Sequence, residues 1–132
     1  MTRELFWLTL TVIMTGLMWV PYILDRVQVR GVAGAMDNPR PGDAPQAPWA
    51  ERMMKAHANA IENLVIFATL VLIVDSIGIS NSVTVGACIV YFFARLVHFI
   101  VYTAGIPVAR TLAFTVAFLA QAALALQILA AS

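Results

Sequence analysis

The sequence is short of charge. Only 11% of its 132 residues are Asp, Glu, Lys or Arg, against 61% that are hydrophobic. A soluble domain of this length has a large surface for its volume and must cover it with polar groups. This chain has too few, and its mean hydropathy of +0.87 makes lipid the fitting solvent. Cysteine is nearly absent: Cys88 stands alone, inside an apolar run. A lone cysteine excludes an intrachain disulfide and a thiolate metal site. A net charge of +1 excludes a nucleic-acid partner, because phosphate binding needs a dense basic surface. Proline is confined, with Pro39, Pro41, Pro45 and Pro48 in one connection. There is no internal repeat and no low-complexity tract.

What remains is four apolar stretches, each near the roughly 20 residues a membrane helix needs. The first runs from about 5 to 24 and carries no charge. It lacks a basic leading region and a small-residue cleavage site, so it reads as a retained helix rather than a signal peptide. The second runs from about 48 to 74, with a polar first half and a lipid-like run from Leu64 to Val74. The third, about 82 to 104, contains Arg95 and His98; the fourth, about 110 to 131, contains Gln121 and Gln127. The prolines, with Gly31, Gly34 and Gly42, make residues 25–47 a surface loop. The other connections are short, which makes neighbouring helices antiparallel. The expectation is an all-α membrane protein, one four-helix bundle over residues 1–132.

Basic residues orient it. Arg26, Arg30, Arg40, Arg52, Lys55 and Arg110 fall at one end of the bundle, and Arg3 at the other. The positive-inside rule puts the long loop in the cytoplasm and both termini on the opposite side.

Ionisable groups inside a membrane are costly and tend to face the bundle interior. Glu51, Lys55, Asn59 and Glu62 recur at helical spacing on the second segment, as do Tyr91, Arg95, His98 and Tyr102 on the third. Each set makes one stripe, and Glu62 is expected to neutralise Arg95. Polar stripes of this kind also serve as glue between helices. His57 points off the Asn59–Glu62 face and reads as interfacial. No close His/His or His/Glu pair shares a face, so no metal site is expected. Arg110 and Thr111 open the fourth helix, where free N–H groups and the dipole favour an anion. Arg30, Lys55, Arg95 and Arg110, with Asn59, Glu62 and Tyr102, are read as a basic pocket. It suits a small ligand whose carboxylates meet arginines and whose amine meets Glu62. An arginine beside a thiol would also hold it as thiolate.

Three segments carry a resemblance. ERMMKAHANAIEN, Glu51 to Asn63, resembles the second-helix signature of the MAPEG family, the membrane-associated proteins in eicosanoid and glutathione metabolism. RLVHFIVYTAGIPVARTLAF, Arg95 to Phe114, resembles its third helix, short loop and fourth-helix start, and DNPRP, Asp37 to Pro41, its first loop. The resemblance implies a homotrimer with glutathione as co-substrate, bound between protomers near the cytoplasmic face. It implies Arg110 as the residue that stabilises the thiolate. It implies Arg30, Asn59, Glu62, Arg95, His98, Tyr102 and Thr111 as contact or supporting residues. The sequence departs from glutathione-binding relatives in having Ala58 and Lys55 where they carry arginines and Phe114 where a tyrosine is common.

Three functions are therefore expected in turn. The first is a glutathione-dependent transferase or peroxidase acting on a lipophilic electrophile that arrives through the bilayer. The second is a non-catalytic lipid-binding protein, since some members of the family bind lipids without catalysis. The third is a small exporter built on Glu62, which the basic stripe and the uncharged first helix disfavour.

Overall fold

In lipid each backbone N–H and C=O must find its partner within the chain, so apolar spans become helices. The computed structural model describes residues 1–132 and is helical throughout, without strands. Its helices are α1 (Arg3–Leu17), α2 (Trp19–Met36), α3 (Pro48–Ser76), α4 (Ser82–Ala104) and α5 (Pro107–Ala130). α1 and α2 form one apolar stretch of 34 residues, so four helices are long and apolar enough to cross a membrane. The break between them has a local cause. Pro21 has no N–H to give the preceding turn, and the chain tightens at Met18, whose N–H donates to the Thr15 carbonyl at 3.3 Å.

The first span differs from the expected 5–24, and the expected loop 25–47 shrinks to residues 37–47. Charge and glycine made residues 25–36 read as loop. They stay helical because the connection is tied back onto α2. The Asp25 carboxylate, buried, accepts from the Gln46 amide and from the Ala47 N–H, both at 3.1 Å. The same amide donates to the Tyr22 carbonyl at 2.7 Å, and Arg26 Nε donates to Gln46 Oε1 at 3.0 Å. Glycine does act at Gly31, where φ of +72° bends the helix. At 34 residues the span is about 50 Å long at helical rise, more than the roughly 30 Å of hydrocarbon. The charged end of α2 therefore stands in the interface or beyond it.

α4 and α5 pack most extensively. The faces they bury against each other are rich in small residues: Ala87 and Ala94 on α4, Ala113, Ala117 and Ala120 on α5. Small side chains let membrane helices approach closely where no hydrophobic force drives them together. Phe67 of α3 stacks on Tyr91 of α4 with centroids 3.8 Å apart. At the end bearing the termini, Glu4 is 1% exposed. Its carboxylate accepts from Thr84 at 2.6 Å and Ser80 at 3.2 Å, locking α1 to the α3–α4 turn. The other end carries residues 37–47 and the α4–α5 turn at Gly105.

Candidate functional site

At that second end a cleft of about 180 Å³ opens between three helices. Its walls are Asn59 from α3, His98 and Tyr102 from α4, and Arg110, Thr111 and Phe114 from α5. The α4 members sit one turn apart on the stripe that the sequence spacing marks. The α5 members fall in its first two turns, because Pro107 starts that helix three residues earlier than expected. This changes the electrostatics of the helix start. Pro107 offers no N–H, and the Arg110 N–H already donates to the Ile106 carbonyl at 3.2 Å. The Val108 and Ala109 N–H groups remain without a backbone partner at this end of α5, and the Arg110 side chain adds a full positive charge beside them.

Arg110 is half-buried, its guanidinium 4.6 Å from the centre of the Tyr102 ring. A cation over an aromatic face is held in place without being neutralised. Arg110 takes part in neither of the ion pairs in the structure, Arg30–Asp43 and Arg40–Asp37. Its charge is free for a ligand. The His98 ring lies 5.6 Å from that of Tyr102 and 6.3 Å from that of Phe114.

The remaining residues picked out by sequence are elsewhere. Arg95 does not line the cleft; it is 2% exposed and donates from Nη2 to the side-chain oxygen of Asn59 at 2.7 Å. The expected Glu62–Arg95 pair is not formed. Glu62 is exposed and in no ion pair, one turn beyond Asn59 on the outer face of α3. Lys55 and Glu51 are exposed as well, so of the α3 stripe only Asn59 turns toward α4. The inward side of α3 is Ala56, Ala60, Phe67, Val71 and Val74. Arg30 is engaged by the connection, donating from Nε to the Ala44 carbonyl at 3.0 Å with Asp43 at 3.8 Å. The expected four-cation pocket of Arg30, Lys55, Arg95 and Arg110 is not assembled within one protomer. His57 does point off that face: its Nδ1 lies 2.7 Å from the Tyr22 hydroxyl.

Two features escape sequence reasoning. Phe114 closes the cleft as an apolar wall, where the resemblance marks it only as a departure. Arg52 donates from Nε to the Thr103 carbonyl at 2.9 Å, placing a cation at the C-terminal end of α4 where the helix dipole is negative.

The MAPEG family profile matches residues 5–130, nearly the whole chain. The chain belongs to the MAPEG family. Comparison with curated proteins finds no match. A MAPEG protein with four apolar spans is a multi-pass integral membrane protein, and the family is associated with glutathione and eicosanoids in general. Its helices expose large apolar side chains such as Val65, Leu112, Phe118 and Leu129, as contact with lipid requires.

Proposed function

We propose that this MAPEG protein is a glutathione-dependent transferase or peroxidase acting on a lipophilic electrophile. The observation that carries the reading is the unpaired Arg110 guanidinium, braced on Tyr102 at the mouth of a polar cleft. Asn59, His98, Tyr102 and Thr111 supply hydrogen-bonding groups to a peptide ligand. In this reading the charge of Arg110 holds the glutathione sulfur as thiolate. In a transfer, the thiolate sulfur forms a bond to an electrophilic carbon, the leaving group departs with its electron pair, and the thiol proton passes to water. In a peroxidase step, the sulfur attacks a peroxide oxygen, the O–O bond breaks and an alcohol leaves. A second glutathione then resolves the sulfenic acid to a disulfide and water. An all-apolar groove of about 360 Å³ on α4 and α5 begins beside the cleft at Val97 and Ala113, a path for a substrate dissolved in the bilayer.

The cleft of one protomer, at 180 Å³, is below the roughly 300 Å³ at which ligand sites begin. A homotrimer would complete it, and Glu62, exposed on the outer face of its own α3, is placed to be contributed across a contact between copies. Arg95 supports Asn59 from behind. Arg30 would have to release Ala44 and Asp43 to take part. The positive-inside bias puts the cleft end in the cytoplasm.

Purified protein should conjugate glutathione to an activated aryl halide or reduce an organic hydroperoxide. Arg110→Ala should lower kcat on the order of 10²-fold, the scale for losing one charge-stabilising group, with a smaller change in KM for glutathione. An inactive wild-type protein, or an Arg110→Ala variant of full activity, sinks the proposal. A non-catalytic lipid binder is the second reading, favoured by Ala58 and Phe114. It predicts that millimolar glutathione leaves the melting temperature unmoved, whereas a ligand at 100 times its Kd adds about 2.7 kcal/mol.

A further inference from the structure

At the end of the bundle away from the cleft, a polar basin of about 540 Å³ lies between the starts of α1 and α4. Arg3 lines it from α1, and Ser80, Asn81 and Ser82 line it from the α3–α4 turn and the start of α4. Arg3 is exposed, and no carboxylate lies within ion-pair distance of it. Its neighbour Glu4 is turned inward and accepts from Thr84 and Ser80. The Asn81 side chain takes the Val83 and Thr84 N–H groups at 2.9 and 3.0 Å. The Ser82 N–H, ahead of both, is among those a helix start leaves free. The basin is not closed off from the membrane. Ile89 lines both it and the apolar groove that runs to Val97 beside the cleft. A Cβ on Gly86, between Ser82 and Ile89, would meet nothing within 4 Å, so the passage is open. Ser82, Gly86, Ile89, Phe93 and Val97 recur at helical spacing and form one face of α4. That face is polar and cationic at its start and apolar beyond it. From Gly86 to Val97 it runs about 16 Å at helical rise, close to half of the roughly 30 Å hydrocarbon layer. A bare apolar helix face meets bulk lipid without choosing among lipids. A cationic basin joined to a groove one leaflet long can choose.

We infer that this face of α4 holds one phospholipid with an anionic headgroup, drawn from the leaflet at the termini. Its phosphate meets the Arg3 guanidinium and the Ser82 hydroxyl and N–H. One acyl chain lies along Gly86, Ile89, Phe93 and Val97. The chain ends where the groove approaches the cleft, so lipid and a bilayer-dissolved electrophile take turns at Val97. The inference does not rest on the glutathione reading, because Arg3 and the basin stand at the other end of the bundle from the cleft.

The opposite end is the more basic and also attracts anionic lipid, so the test separates the two ends. Purified full-length protein in nonionic detergent receives phosphatidylglycerol, phosphatidylcholine with the same chains, or inorganic phosphate at equal ionic strength. Expected is a saturable rise in melting temperature that is larger with phosphatidylglycerol, and no rise with inorganic phosphate. Arg3→Gln should raise the apparent Kd for phosphatidylglycerol on the order of tenfold, the scale of one hydrogen bond to a charged group. Arg40→Gln, in the exposed connection at the other end, should leave that Kd unchanged. Phosphatidylglycerol with a diazirine near its chain end should crosslink to the peptide that holds Phe93 and Val97, and Gly86→Leu, which fills the passage, should suppress that crosslink. Equal responses to the two lipids, or a rise with inorganic phosphate alone, overturns the inference. So does an Arg3→Gln variant of wild-type affinity, an Arg40→Gln variant as weak as Arg3→Gln, or crosslinking confined to other helices. If lipid selectivity holds while catalysis is absent, only the glutathione reading falls; if catalysis holds in a protein that does not choose between the lipids, only this inference falls.

Discussion

Asn59 joins the cleft to the buried Arg95 behind it. Its side-chain oxygen takes Arg95 Nη2 at 2.7 Å, while the residue itself lines the cleft. Replacing it with leucine would strip a buried guanidinium of its protein partner, and a stranded charged group costs about 2 kcal/mol or more. Asn59→Leu should therefore melt well below the wild type in detergent. The Asn59→Leu/Arg95→Leu double variant should recover much of the loss, since removing both partners together leaves nothing unpaired. A single variant as stable as the wild type would show that Arg95 does not depend on Asn59. Spacing in the sequence located the α4 stripe correctly, because Tyr91, Arg95 and His98 all turn inward. It misjudged α3. A 3.6-residue period groups residues on a face without saying which face meets the core. On α3 the inward face went to Ala56 and Ala60, which allow close approach, and Glu62 was left outside. Glu4 was not legible at all. Its partners Ser80 and Thr84 lie some 80 residues away in sequence, and nothing local marks a first-turn carboxylate as buried.

Apolar length and proline made α3, α4 and α5 readable to within a few residues. The end of α2 was not readable, since the Asp25–Gln46 clasp that keeps it helical is a tertiary contact. The α4–α5 turn has a plainer local logic. Gly105 takes φ of +79°, its N–H donates to the Tyr102 carbonyl at 3.0 Å, and the Ile106 N–H donates to the Val101 carbonyl at 2.9 Å. This is a glycine-terminated helix end, and it sets the spacing between Tyr102 and Arg110. A Cβ there would meet Arg52 Cζ and Nε at 3.3 Å, pushing on the side chain that caps the α4 carbonyls. Gly105→Ala should destabilise by about 1–2 kcal/mol from the left-handed backbone alone and loosen the Arg110–Tyr102 contact. Gly86→Ala, inside α4 with nothing within 4 Å of the added carbon, should be neutral or stabilise by roughly 0.5–1 kcal/mol. Equal melting temperatures for the two variants would remove the turn from the account.

At the scale of the whole molecule, charge and chemistry divide the bundle along its axis. One end has Arg26, Arg30, Arg40, Arg52, Lys55 and Arg110 together with the cleft, and the other has Arg3 beside the buried Glu4. The positive-inside rule predicts the first end on the cytoplasmic side, the compartment where glutathione keeps thiols reduced. The glutathione proposal needs that same orientation. The protein suits a direct check, because its one native thiol, Cys88, is fully buried and should stay silent to a membrane-impermeant maleimide. Gly42→Cys marks the exposed connection between α2 and α3, and Ser132→Cys marks the C-terminus. In intact cells the reagent should label Ser132→Cys and spare Gly42→Cys; in inside-out vesicles the pattern should reverse. The opposite labelling would place the cleft on the far side from the cytosolic thiol pool. The glutathione proposal would then lose its co-substrate, while the four-span fold would stand unchanged.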